Sequence, residues 1–193
     1  MEKKTVDTLI KQAFEYVNYS GIIDFAFQGG EPTMAGYEYF DYFTNKVNDC
    51  NKNQIPINYS IQTNGQLINE DFCQLFKNYN FLVGLSQDGP SQIHDVNRIN
   101  QQYKGTFNQT NVAIHLMEQY QVDYNILSVI TKQMARKPKT LFHYYTKRKF
   151  KYIQLIPCLS PLENFYNNTS NDFLDSNKYS PKDKKKYALT PHD

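Results

Sequence analysis

The residues that could do chemistry sit in five short polar stretches, each directly after or closing an apolar run. Gln28-Gly29-Gly30-Glu31-Pro32 follows Ile22 to Phe27, and Gln62-Thr63-Asn64-Gly65 closes the run that starts at Ile57. Ser86-Gln87-Asp88-Gly89-Pro90 follows Phe81 to Leu85, Thr131 ends Tyr124 to Ile130, and Pro157-Cys158-Leu159 follows Tyr152 to Ile156. Adjacent glycines let the backbone approach a ligand closely and adopt positive φ, so Gly29 and Gly30 could offer N–H and C=O groups to an amine or a carboxylate. Glu31 beside them could answer a cation. The same residues also read as a simple turn between strand and helix, with Pro32 at a helix start. Residue types alone leave both readings open.

Ser86 and Arg98 form a second candidate pair. Arginine recognises a carboxylate through two parallel hydrogen bonds, and serine adds a short one; a loop arginine solvated at the surface is the plainer alternative. Asp88, ahead of Gly89-Pro90, has the position of a turn residue. His94-Asp95 resembles an acid–base pair, but in a polar loop with no nucleophile beside it the expectation is a solvated pair. Gln62 and Asn64 either point into a shared mouth or close their strand through side-chain-to-backbone bonds. His115 lies next to an apolar stripe and reads as structural, while His143 and His192 carry no spacing signal. No catalytic residue is assigned. Cys50 and Cys73 fall on predicted helices, where small buried side chains are usual, and Cys158 stands at a strand end. Three distant cysteines make neither a disulfide framework nor a zinc site, so no metal ligand is assigned and a reducing cytoplasm is the expected compartment.

The elements that must position these stretches alternate. Val6, Leu9, Ile10, Ala13, Phe14 and Val17 repeat at helical spacing, as do Tyr37, Phe40, Phe43 and Val47. Asn69 is placed to N-cap a helix bearing Phe72, Leu75, Phe76 and Tyr79. Thr106 and Gln109 have capping-box spacing ahead of Ala113, Leu116, Met117 and Tyr120, and Lys139 to Lys149 reads as a further helix. Gln87 to Gly105 reads as a long polar connection, a length more often functional than idle. Such alternation implies a parallel sheet with helices outside it, so the predicted class is α/β. The chain lacks the Gly-x-Gly-x-x-Gly turn of a dinucleotide fold, which ranks a partial TIM-like (β/α) barrel first. In a parallel barrel all five polar stretches face one rim. The order opens on a helix, so a first strand is expected to be missing or to lie upstream, and the parallel edge this exposes predicts marginal stability. Residues 1–160 read as the partial barrel, and 161–193, rich in Asn, Ser, Asp, Lys and Tyr, as a polar linker toward a further domain.

Composition narrows the classes. With 193 residues, 40% hydrophobic, 16 Tyr and 13 Phe, the chain can bury enough apolar surface to fold, which argues against wholesale disorder. A net charge of +2 selects no acidic partner. Lys132 to Lys151 holds eight Lys or Arg and no acid; a solvated outer face is expected there, with a nucleic-acid or acidic-substrate patch as the sharper alternative. No apolar run approaches the ~20 residues of a membrane span. Neither nucleic acid nor membrane is therefore expected as a partner.

Taken together, Phe27–Pro32, Ser60–Gly65, Gly84–Pro90, His94-Asp95 with Arg98, Gly105-Thr106-Phe107, Asn125-Ile126-Leu127 with Thr131, Ile156–Leu162 and Leu189-Thr190-Pro191 resemble, in order and spacing, the anaerobic sulfatase-maturating enzymes. These belong to the radical S-adenosylmethionine (SAM) superfamily, in its SPASM-type subgroup. The resemblance implies a barrel that binds SAM and a four-iron, four-sulfur (4Fe-4S) cluster, and an oxidation of a cysteine or serine of a sulfatase to formylglycine. It also implies a sulfatase polypeptide as substrate and an electron donor such as flavodoxin or ferredoxin. By the same resemblance Gly29 and Gly30 would meet the methionine amino group through backbone atoms, with Glu31 nearby. Ser86 and Arg98 would hold the ribose and carboxylate end, Leu159 would pack on adenine, and Gln28 would face the peptide substrate. The family's Cys-x3-Cys-x2-Cys cluster loop is expected upstream of Val6 and its C-terminal domain beyond Asp193, so the chain reads as a fragment, inactive in isolation. Another radical SAM peptide modifier and a non-catalytic remnant that binds SAM or peptide are the alternatives.

Overall fold

Among the described residues every strand runs the same way, and the strands lie side by side in the order in which the sequence makes them. The computed structural model describes residues 1–159 and Leu189. The elements are α1 (Lys3–Tyr16), β1 (Ile23–Phe27), a 3-10 turn (Pro32–Ala35), α2 (Tyr37–Cys50), β2 (Ile57–Thr63), α3 (Glu70–Asn78) and β3 (Phe81–Ser86), followed by α4 (Ser91–Asn97), α5 (Phe107–Gln119), β4 (Asp123–Ile130), α6 (Lys132–Ala135), α7 (Pro138–Arg148) and β5 (Ile153–Pro157). The five strands form one parallel sheet in the order β1-β2-β3-β4-β5. All strand C-termini therefore meet one rim. This is the α/β architecture expected from the alternation, and a partial barrel accommodates it.

The strands are written with one face for the helices. Ile23 and Phe25 of β1, Tyr59 and Ile61 of β2, and Phe81, Val83 and Leu85 of β3 are buried, while the alternating Asp24, Ala26, Asn58 and Leu82 stay exposed on the other face. The period of two follows from the pleat, which sends successive side chains to opposite sides. Against the covered face pack Val6, Ile10 and Phe14 of α1, Phe40, Phe43 and Val47 of α2, and Phe72, Leu75 and Phe76 of α3. The core near β1 to β3 is aromatic. Phe25 meets Phe43 edge-on at 5.0 Å, Phe27 meets Phe40 at 5.0 Å, and Tyr59 stacks on Phe81 at 4.8 Å. Such pairs add about 0.5–1.5 kcal/mol each beyond their area burial. On the uncovered face Asn58 Nδ2 donates to Asp24 Oδ1 at 2.6 Å, across the register pair of β1 and β2.

Three local expectations need correction. The connection from Gln87 to Gly105 is not an irregular polar loop: it contains α4 and closes with an antiparallel bridge between Ile99 and Gly105. The Thr106–Gln109 capping box does not form. Thr106 makes no side-chain cap: its backbone, at φ −107° and ψ 5°, is not the extended conformation of a capping residue, and its hydroxyl donates to the carbonyl of Arg98. The start of α5 is capped from a distance, by Asp95 Oδ1 accepting from the Phe107 N–H at 2.9 Å. Asn69, in contrast, caps α3 as its position suggests, accepting from Phe72 N–H at 3.0 Å. His115, expected to be structural, lies exposed on α5. The basic stretch from Lys132 to Lys151 lies mainly on exposed positions. The proposed linker and the motif residues Ser160, Pro161, Leu162, Thr190 and Pro191 fall outside the described residues. Leu189 is described, its N–H donating to the Cys158 carbonyl at 2.9 Å.

Candidate functional site

Two loops of the rim are each pinned by one carboxylate that accepts from several donors. The first follows β1. Gly29 and Gly30 both sit at positive φ, 98° and 54°, a conformation that costs glycine nothing and other residues about 1–2 kcal/mol. A Cβ added at either would meet nothing within 4 Å, so the side on which a side chain would stand is open space. Pinning comes from the next residue. Glu31 Oε1 accepts from Thr33 N–H at 3.1 Å, Thr33 Oγ1–H at 2.6 Å and Thr63 Oγ1–H at 2.6 Å, and Oε2 accepts from Asn64 N–H at 2.7 Å. From the sequence, Glu31 could answer a cation or belong to a simple turn. Its carboxylate is engaged by four protein donors and braces the end of β1 against the end of β2.

The second loop follows β3 and is organised by Asp88. Its side chain is almost completely buried, and it accepts from Arg98 Nε–H at 2.6 Å and Nη2–H at 3.2 Å and from Val129 N–H at 2.8 Å. The aspartate is thus more than a turn residue: it ties the β3 loop to Arg98 and to the backbone of β4. His94, expected to be solvated, is fully buried. Its Nδ1 accepts from Asp88 N–H at 3.2 Å, which leaves the proton on Nε2, 3.2 Å from Thr106 Oγ1. The Thr106 hydroxyl passes the chain on to the Arg98 carbonyl at 3.1 Å. Burial, reinforced by the nearby Arg98 guanidinium, holds the imidazole below its ordinary value, against the smaller opposing pull of Asp88 and Asp95. The same loop is closed by Gln87, whose amide donates to the Gly89 carbonyl at 2.7 Å and meets Tyr144 Oη at 2.6 Å.

Ser86 is the last residue of β3 and largely buried, on the face opposite Leu85. Arg98 is not adjacent to it in a shared hydrogen bond; the guanidinium is turned to Asp88, with 24% of its side chain still exposed. Gln28 is exposed just beyond β1, in a 440 Å³ cleft with Ala26, Gly29 and Tyr39. Leu159, just past β5, is 73% exposed. Because the sheet is parallel, the residues that follow β1, β3 and β5 lie toward one end of it. Asn64 closes its strand, its Oδ1 accepting from Gln66 N–H at 2.9 Å. Asp88, His94 and Thr106 were visible in the sequence in other roles, and Val129 was not singled out at all. The Asp-Gly-Pro run disguised the first as a turn, and the mutual engagement of all four depends on contacts between elements.

Metal chemistry finds no home among the described residues, where no group of three His, Cys, Asp or Glu could hold an ion. Cys73 is fully buried, and burial, with Glu70 adding, pushes its thiol up to about 11. No helix of the described residues is long and apolar enough to cross a membrane.

Comparison with known proteins adds ancestry to this geometry. No protein-family model matches the chain. A cysteine-type anaerobic sulfatase-maturating enzyme of Clostridium novyi (strain NT) is 40% identical over 185 residues, 95% of this chain and 47% of that protein. One from Clostridium perfringens (strain ATCC 13124) is 36% identical over 193 residues, all of this chain and 47% of the relative. The chain thus spans about half the length of the curated relatives it matches. A solved structure described as native anSMEcpe with bound AdoMet and Cp18Cys peptide superimposes with a TM-score of 0.84 at 35% identity, covering 100% of this chain and 48% of the other.

Proposed function

We propose, from the premise that this chain belongs with the anaerobic sulfatase-maturating radical SAM enzymes over the half of their length that it spans, that its rim is a binding site for SAM. The wider activity proposed for the protein is oxidation of a cysteine or serine of a sulfatase to formylglycine. SAM, when bound and reductively cleaved, supplies the radical that takes a hydrogen from such a side chain. A peptide and AdoMet are named with the solved relative, and a sulfatase segment, with flavodoxin or ferredoxin as electron donor, is the corresponding proposal here.

The observation that carries the reading is the Gly29-Gly30 loop: two consecutive positive-φ glycines fronting open space, on a rim shared with Ser86, Arg98 and Leu159. The chemistry of these groups fits the cofactor's parts. Backbone carbonyls at the glycines suit an ammonium group, and a guanidinium suits a carboxylate. A serine hydroxyl suits a ribose, and an exposed leucine suits the face of adenine. Gln28, exposed in the adjoining cleft, is proposed to face the peptide. These residues bind, orient and exclude water; the reactive chemistry belongs to the cofactor. For an iron–sulfur cluster the described residues offer no ligand set, and no step through one is assigned to them.

Equilibrium binding of SAM to the 193-residue chain tests the reading. Saturable binding that G30A weakens at least tenfold supports it. A folded chain that binds no SAM overturns it.

A further inference from the structure

We infer that Asp88 is the positioning residue for Arg98: it aims the guanidinium at the carboxylate of SAM without touching the cofactor itself. The inference rests on the reading that Arg98 meets that carboxylate. Its own basis is the geometry of the pair. Arg98 spends its Nε–H and one Nη2–H on the two oxygens of Asp88. Arginine has five N–H donors in a rigid plane, so fixing that side of the fork fixes the direction of the remaining Nη1 edge. The guanidinium stays partly exposed while Asp88 does not, which is the arrangement of a buried aimer behind an outward-facing donor.

Asp88 is held in turn. Its Oδ1 also takes the Val129 N–H from β4, and its own N–H is spent on His94 Nδ1. From His94 the chain of hydrogen bonds runs through Thr106 to the carbonyl of Arg98. Both the side chain and the backbone of Arg98 therefore close on one circuit, Asp88–His94–Thr106–Arg98. A long arginine side chain ordinarily loses rotamer freedom when it binds. Here that ordering is complete beforehand, and preordering of this kind appears as affinity. A surface ion pair would need none of these supports.

The test compares SAM with methylthioadenosine, which has the adenosine and sulfur but no amino-acid carboxylate. In D88N, an isosteric change that turns one acceptor into a donor facing Arg98, the dissociation constant for SAM is expected to rise roughly tenfold or more. That for methylthioadenosine should stay within about twofold of the parent chain, because adenosine contacts do not pass through Arg98. R98K is expected to show the same selectivity, and the double variant should bind SAM no worse than R98K alone, since the two residues act in series. Equal losses for both ligands, or additive losses in the double variant, overturn the inference while leaving the SAM reading intact. A parent chain that binds methylthioadenosine and SAM equally well shows that Arg98 meets no carboxylate and overturns it too. The clamp can also be read without ligand. The Arg98 Nε–H resonance should exchange slowly with water in the parent chain, and rapid exchange there overturns the proposal even if D88N fails to fold.

Discussion

The carboxylate of Glu31 and the backbone N–H of Asn64 lie 2.7 Å apart across 33 positions of sequence, so the loop leaving β1 is fastened to the loop leaving β2. Replacing Glu31 by Gln leaves one acceptor oxygen where there were two and turns an –NH2 toward an existing donor. Leaving such a group unsatisfied costs about 1–3 kcal/mol. Urea titration of E31Q is expected to show a loss in that range, with amide exchange at Asn64 accelerated. An unchanged midpoint would mean that water replaces the carboxylate and that the brace is dispensable.

Glycines at the same backbone sign should respond differently to alanine. Gly30 has open space around it, whereas a Cβ at Gly65 would lie 2.6 Å from Leu85 Cδ1 and 3.3 Å from the Ala113 side chain. Both pay the positive-φ cost of about 1–2 kcal/mol, but G65A also overpacks the core, for about 1–3 kcal/mol more. Thermal melts should therefore rank G65A well below G30A. SAM affinity should rank folded G30A below the parent chain, since its new methyl occupies the approach to the backbone.

His94 gives stability a pH dependence with a defined sign. Its folded-state proton affinity is lowered, by burial first and by Arg98 second. The unfolded chain therefore takes up the proton first as pH falls. Stability is complete above the ordinary imidazole value of about 6.5 and declines below it, until the folded imidazole also protonates. Protonated Nδ1 would face the Asp88 N–H, donor against donor, so the folded state resists. The charged groups around the ring are Asp88, Asp95 and Arg98. Comparing urea midpoints at pH 7.5 and pH 5, the parent chain should lose more stability than H94N. Equal losses would show that His94 does not titrate differently in the two states.

Leu159 separates binding from folding. At 73% exposure its truncation to alanine should leave stability within about 0.5 kcal/mol. If it packs on adenine, L159A should bind SAM and methylthioadenosine about three- to thirtyfold more weakly, as the loss of a contacting apolar side chain implies. Unchanged affinity for both ligands would remove Leu159 from the site.

Much of the fold was legible because its signals are local. The helical stripe from Val6 to Val17 and the short run from Phe81 to Leu85 are bounded by turn residues and correspond to α1 and β3. α4 escaped because its seven residues bury only Ile93 and His94, too few to set up a helical period. The glycine loop, Ser86 and Arg98 could be singled out from residue type and position. The bonds that tie Glu31 to Thr63 and Asn64 and Asp88 to Val129 could not, since those partners lie 32 to 41 residues away. Thr106 illustrates a local rule that spacing alone does not satisfy: it has the spacing of a cap, but its backbone is not extended as a cap requires.

Strict agreement between chain order and sheet order has an evolutionary corollary. Each interval between neighbouring strands delivers one self-contained stretch to the rim and returns at once to the next strand. A family built this way can lengthen, shorten or exchange one stretch without rethreading the others. The loops here are then modules coupled at named points: the hydrogen bonds from Glu31 to Asn64 and from Asp88 to Val129 are the cross-links through which a change in one is felt by its neighbour.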